Sequence, residues 1–148
     1  MGAPDSGKVA VVTGGSRGLG QVLVQRLLQD GWRVATCSRS ATTFVKDTLA
    51  ERGDDFFWAA ADLAEPQTLR DFVTGVTRRF DRIDLLVNNA AVLHQQLFLT
   101  MPPRQIAELV TTNLVAPITL AQACGRAMSR HGAGGHIINV SSINAIRG

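Results

Sequence analysis

With 148 residues, 45% of them hydrophobic and 18% charged, the chain has the size and composition of one globular domain able to bury a core. Its net charge of +3 comes from scattered arginines rather than a dense basic run, which argues against a nucleic-acid face and for ordinary solvated surface. Cys37 and Cys124 lack metal-ligand spacing and are too few for a disulfide framework, so free thiols in a reducing cytoplasm are expected.

The opening MGAPDSG has no apolar signal core, no apolar run reads as a membrane span, and residues 1–7 are expected to be flexible. Lys8 to Thr13 is a short β-branched run, with Val9, Val11 and Val12, suited to a parallel strand covered on both faces. Gly14, Gly18 and Gly20 follow, leading into an amphipathic helix from Leu19 to Gln29. Glycines permit unusual dihedrals and let backbone amides approach a ligand closely. A helix that starts at such a turn offers unpaired N–H groups and a positive dipole end, which favour a pyrophosphate. The spacing Gly-x-x-x-Gly-x-Gly is one residue longer in its first gap than the common dinucleotide fingerprint. A tight strand–helix connection made only for packing has the same look.

Strands and helices then alternate. Arg33 to Cys37 reads as a second strand, entered through Gly31, and Thr42 to Arg52 as a helix stopped by Gly53. Asp55 to Ala60, rich in aromatics, is a third strand. Pro66 opens a helix to Phe80, at a position where proline is tolerated, and Ile83 to Val87 is a fourth apolar strand. Pro102 and Pro103 open another helix, Leu114 to Arg130 forms a long one ended by Gly132, Gly134 and Gly135, and His136 to Val140 is a fifth strand. The alternation predicts an α/β fold: a Rossmann-like, doubly wound parallel sheet in a three-layer α/β/α domain. The expected strand order is 3-2-1-4-5, with ligands in the crevice beside the first strand.

The pieces at the C-terminal ends of these strands are TGGSRGLG (13–20), Asp62-Leu63, NNAA (88–91), Asn113 and INVSS (138–142). In order and spacing, from Lys8 to the last residue, they resemble the classical short-chain dehydrogenases/reductases. Among subgroups the likeness is to ketoreductases of the 3-oxoacyl-carrier-protein reductase type. The resemblance implies a nicotinamide cofactor held by Thr13, Gly14, Ser16, Arg17, Gly18, Leu19 and Gly20, by Ser38 and Arg39, by Asp62 and Leu63, and by Asn89, Ala90 and Ala91. It makes Ser142 the catalytic serine and Asn113 the asparagine of the active-site tetrad. It also implies a small-molecule or acyl carbonyl substrate and, since family members commonly form tetramers, a homo-oligomer. Where this chain has Ala91, the family usually has glycine.

Each piece also has a plainer reading. Asp62 could accept an adenine amino hydrogen, with Leu63 offering its backbone, or could cap the helix that follows. Asn88 can tie the fourth strand to its neighbour, and Asn-Asn is equally a turn former. Asn113 stands where one helix gives way to the next, where a buried amide would hold a kink or a water. The Ser142 hydroxyl would bond the substrate carbonyl oxygen, although a serine pair ending a strand is also ordinary turn chemistry. His94, His131 and His136 are scattered without metal-like spacing, so no metal is expected; His94 reads as a solvated loop residue that could brush a substrate. Val92 to Leu99, fairly apolar, is expected to line one side of the pocket.

Charge argues the cofactor choice. An acidic residue after the second strand would grip the adenosine ribose and repel a 2′-phosphate. Here the strand ends Cys37-Ser38-Arg39, and Arg17 stands inside the glycine turn. Either arginine alone reads as surface charge; together they suit a 2′-phosphate, so NADP(H) is expected.

The family's proton donor is a tyrosine in a Tyr-x-x-x-Lys pair about a dozen residues past the catalytic serine, and this sequence contains no tyrosine. The 148 residues alone are therefore expected to be a poor catalyst, either a portion of a longer reductase or a chain completed by another. Without a neighbour, HIINVSS would be an exposed apolar edge strand, and the long helix would bare an apolar stripe. The alternative is a module that binds NADP(H) or a partner without turnover.

Overall fold

The computed structural model describes residues 7–132 and 134–143, so the expected flexible start lies, Gly7 aside, outside the described residues. Its strands are β1 (Val9–Thr13), β2 (Arg33–Ser38), β3 (Phe56–Ala60), β4 (Leu85–Asn88) and β5 (His136–Asn139). All pairings are parallel, in the order β3-β2-β1-β4-β5, as the alternation requires. In this register Val11 lies between Ala35 and Leu86, and Val12 between Thr36 and Val87. The helices are α1 (Gly18–Gln29), α2 (Thr43–Arg52), α3 (Pro66–Phe80), α4 (Pro103–Val110) and α5 (Ala116–His131).

Side chains alternate along a strand, so β1 feeds two cores. Val9 and Val11 pack with Leu86, with Leu69, Phe72 and Val76 of α3, and with Leu120 and Cys124 of α5. Val12 packs with Val34, Val87, Val24 and Leu28 of α1, and Val45 of α2. Leu69 and Leu120 are fully buried, and truncating either to alanine would cost about 2–5 kcal/mol. Boundaries fall within two residues of the sequence reading. Regular pairing of β4 starts at Leu85 rather than Ile83, although Ile83 is buried and the Asp84 N–H already donates to the Val9 carbonyl.

Two expectations change at the long helix. The helices expected from Pro103 and from Leu114 are one continuous run, Pro103–His131, in which α4 passes through a π-helical turn, Thr111–Val115, into α5. Pro117 explains the widening: it has no N–H to donate, and its ring would crowd the carbonyl four residues back. By length and composition this run could cross a membrane, contrary to the sequence reading; in the fold it lays Ala116, Leu120, Cys124 and Ala127 on the sheet.

The far edge is bare. Every residue of β5 is exposed, Ile138 by half, and Leu114 and Ile118 stand out from the adjoining helical run.

Candidate active site

The glycine turn is built by close packing on one side and openness on the other. A Cβ at Gly14, where φ is +68°, would lie 2.9 Å from the Ala90 Cβ, and one at Gly20 would lie 2.3 Å from the Gly14 carbonyl oxygen. Gly15, which sequence reasoning passed over, is as tight: its Cβ would meet Thr36 Oγ1 at 2.4 Å. At Gly18, with φ of +55°, a Cβ would meet nothing within 4 Å. α1 begins there with Arg17 in the capping position and no side chain bonded to its first-turn amides. An open approach to uncapped N–H groups fits a pyrophosphate.

Backbone staples hold this turn against β2. The Gly15 N–H donates to Thr36 Oγ1 at 2.9 Å, while that hydroxyl donates to the Val12 carbonyl at 2.7 Å. Further on, Thr42 Oγ1 donates to the carbonyl of buried Ser16 at 3.0 Å. Arg17, Leu19 and Arg39 are exposed, and among the described residues neither guanidinium carries a hydrogen bond or ion pair. Ser38 is occupied: Trp58 Nε1 donates to its Oγ at 2.9 Å, and Oγ donates to the Ser40 carbonyl at 2.9 Å.

Thr13 and Asn89 form the joint between β1 and β4. The buried Thr13 hydroxyl oxygen accepts from the N–H groups of Asn89 and Ala90, each at 3.0 Å, and Asn89 Nδ2 donates to the Thr13 carbonyl at 3.0 Å. Their polar atoms frame the crevice floor rather than point out of it. Asp62 does not cap α3, whose capping residue is Glu65; its Oδ1 closes a turn by accepting from the Ala64 N–H at 2.9 Å. Leu63 beside it is half-buried against the core.

Beyond the joint lies a cleft of about 650 Å³ between β4, β5 and the start of α5. It brings together Asn89, Ala90, Ala91, Asn113, Ser141 and Ser142, with Leu114, Ile118 and Ala121 as an apolar wall. Val92 to Leu99 does not line it, contrary to expectation; Leu93, Leu97, Phe98 and Leu99 face solvent, and the connection after β4 reaches the cleft through Asn89, Ala90 and Ala91. The connection is drawn instead onto α4, where His94 Nε2 lies 2.9 Å from Glu108 Oε2. His94 is thus a paired, half-buried residue rather than a solvated one.

Asn113 is exposed, not buried, and its position in the π turn aims its amide at Val92: Oδ1 accepts from the Val92 N–H at 2.9 Å and Nδ2 donates to the Val92 carbonyl at 2.8 Å. Asn88 does tie β4 to its neighbour, donating from Nδ2 to Asn139 Oδ1 at 2.9 Å, while its own buried Oδ1 has no partner among the described residues. Burial pushes the thiols of Cys37 and Cys124 up to about 12, so neither offers a nucleophile. No group of His, Cys, Asp and Glu suited to a metal occurs among the described residues.

The candidate residues gather at the C-terminal edge of the sheet, around the strand where its order reverses, which makes this a Rossmann-type nucleotide-binding fold. The model of the short chain dehydrogenase family matches residues 8–148, and the chain belongs to that family. It is 32% identical over 143 residues to an uncharacterized oxidoreductase of Thermotoga maritima, covering 95% of this chain and 56% of that one. It is also 32% identical over 139 residues to the 3-oxoacyl-[acyl-carrier-protein] reductase FabG of Vibrio cholerae, covering 93% and 55%. A metagenomic short-chain oxidoreductase solved in complex with NADP superposes with a TM-score of 0.85 at 36% identity, covering 95% of this chain and 65% of that one. The chain spans about half the length of the curated relatives it matches.

Proposed function

We propose that the protein is an NADP(H)-dependent oxidoreductase interconverting a ketone and a secondary alcohol, and that these residues are its cofactor-binding portion with part of the active site. The observation that carries the cofactor choice is a pair of exposed, unengaged guanidinium groups, Arg17 in the glycine turn and Arg39 after β2, with no carboxylate at the end of β2. Arginine's planar fork suits a 2′-phosphate, and an acid there would repel it. The likeness to an oxidoreductase solved with NADP supports the same choice.

When bound, the nicotinamide supplies or takes up the hydride. The chain's own residues do the rest. First-turn amides of α1 hold the pyrophosphate, and Thr13 with Asn89 keeps small Ala90 and Ala91 low at the floor. The Ser142 hydroxyl, in the cleft, donates to the substrate carbonyl oxygen, where negative charge builds. Asn113 acts through Val92 as a positioning residue. The apolar wall of Leu114, Ile118 and Ala121 suits a hydrophobic or acyl ketone, in keeping with the FabG relative.

The sequence has no tyrosine to protonate the alkoxide, and a positioned acid is worth about 10²–10⁴-fold in rate, so these residues alone should turn over slowly. Bare β5 and the exposed Leu114 and Ile118 support further polypeptide packing there, from the same chain or a second copy in a homo-oligomer. Two buried free thiols suit a reducing cytoplasm. The test is NADPH oxidation across a panel of ketones, including 3-oxoacyl thioesters, by the protein carrying whatever follows Gly148 in its reading frame. Oxidation with at least one ketone is expected. Tight NADPH binding with no oxidation on any ketone would point to the non-catalytic module.

A further inference from the structure

Two loops carry the arginines of the proposed phosphate site, and neither arginine is held by its own side chain. What holds the loops is visible in the hydrogen bonds. Thr42, at the head of α2, donates to the Ser16 carbonyl at 3.0 Å, which pins the β2–α2 connection to the glycine turn one residue before Arg17. At the other end of that connection, Ser38 donates to the Ser40 carbonyl at 2.9 Å and closes the turn on either side of Arg39. A serine hydroxyl has a single proton and can turn it to any acceptor in reach, so a donor bonded to its oxygen adds a second constraint that favours the Ser40 carbonyl. Trp58 of β3 supplies that donor, its indole N–H lying 2.9 Å from Ser38 Oγ. The half-buried indole has no other hydrogen-bond partner among the described residues, and one N–H can serve one acceptor.

We propose that Trp58 is a specificity-determining residue for the 2′-phosphate: by orienting the Ser38 hydroxyl it locks the turn that presents Arg39. The inference rests on the NADP(H) reading above and extends it to a residue that acts through another. A pre-organised arginine loses less freedom on binding than one on a loose turn, so the benefit falls on the phosphate-bearing dinucleotide. NAD(H), which has nothing for Arg39 to grip, is affected little.

The experiment is calorimetric titration of NADP⁺ and NAD⁺ into the protein and its Trp58→Phe, Ser38→Ala and double variants. Trp58→Phe keeps an aromatic ring in place and removes only the donor. It should weaken NADP⁺ binding about fivefold, as expected for one neutral hydrogen bond, and leave NAD⁺ within about twofold. Ser38→Ala should lower the NADP⁺/NAD⁺ affinity ratio similarly, Ser38→Thr should keep it, and the double variant should lose no more than either single one, because the two residues act as one unit. Near-UV circular dichroism identifies any variant that fails to fold, and the Ser38 pair then decides. A parent protein that prefers NADP⁺, with variants that keep the full preference, overturns the role of Trp58 alone. A parent with equal affinity for both overturns the NADP(H) reading and this inference with it.

Discussion

Asn113 holds Val92 by both of its backbone groups, across 21 residues of sequence, with bonds of 2.9 and 2.8 Å. The pair ties the connection that follows β4 to the π turn, one residue past Ala91, so that Asn113, which lines the cleft, also fixes the backbone next to the cleft floor.

Asn113→Ala should therefore loosen the connection before it unfolds the domain. Two neutral hydrogen bonds at an exposed site amount to about 1–2 kcal/mol at most. Hydrogen exchange at residues 91–99 should rise about tenfold while the melting temperature falls by only a few degrees. Unchanged exchange there would remove the positioning role.

The glycines separate by what surrounds them. At Gly15 a methyl would press on Thr36 Oγ1 at 2.4 Å and Val24 Cγ2 at 2.7 Å, so Gly15→Ala should cost about 1–3 kcal/mol. At Gly125, inside α5, nothing lies within 4 Å, and Gly125→Ala should gain about 0.5–1 kcal/mol from helix propensity. Urea midpoints of the two variants should move in opposite directions; movement in the same direction would contradict the local packing described.

What the sequence shows plainly is what period and punctuation encode. The β-branched run at Val9–Val12, the glycine turn, Pro66 and the glycines after α5 mark elements whose order forces the sheet topology. The gathering of Asn113 and Ser142 with Ala90 and Ala91 in one cleft was implied by the family resemblance, not by any local pattern around Asn113. Partners distant in sequence were not legible: nothing local to Asn113 points to Val92, nor local to His94 to Glu108, nor local to Ser38 to Trp58. The π turn did leave a trace, Pro117 standing four residues past Asn113. Gly15 was overlooked because it falls outside the Gly-x-x-x-Gly-x-Gly count, and the residue that requires it, Thr36, lies on the next strand.

Asp84 supplies a pH dependence. Burial alone would raise its pKa, but hydrogen bonds from Arg82 and from the Val9 N–H, with the charges of Arg82 and Lys8, outweigh burial and hold it below the usual carboxylate range. A group whose folded pKa is lowered stabilises the fold above its unfolded value, near 3.9, and loses that contribution as pH falls through the folded one. Asp84→Asn should lower stability near neutrality and flatten its decline below about pH 4. Chemical denaturation from pH 7 to pH 2.5 checks this; parallel curves for both proteins would contradict it.

Cys37 and Cys124 should be silent in the folded protein. Their thiols are buried and pushed up to about 12, so iodoacetamide at pH 8 should modify neither until denaturant is added, after which both should react. Mass spectrometry of the labelled chain gives the count directly, and rapid native labelling of either would contradict the packing of the first core.

The cofactor assignment stands on Arg17 and Arg39, and calorimetric titration of NADP⁺ and NAD⁺ into the protein and its Arg39→Asp variant tests it most directly. NADP⁺ should bind at least about tenfold more tightly than NAD⁺, and the variant should lose that preference altogether, its NADP⁺ affinity falling by at least as much while NAD⁺ affinity is kept or gained. Equal affinity for both dinucleotides, or an Arg39→Asp variant that still prefers NADP⁺, would contradict it.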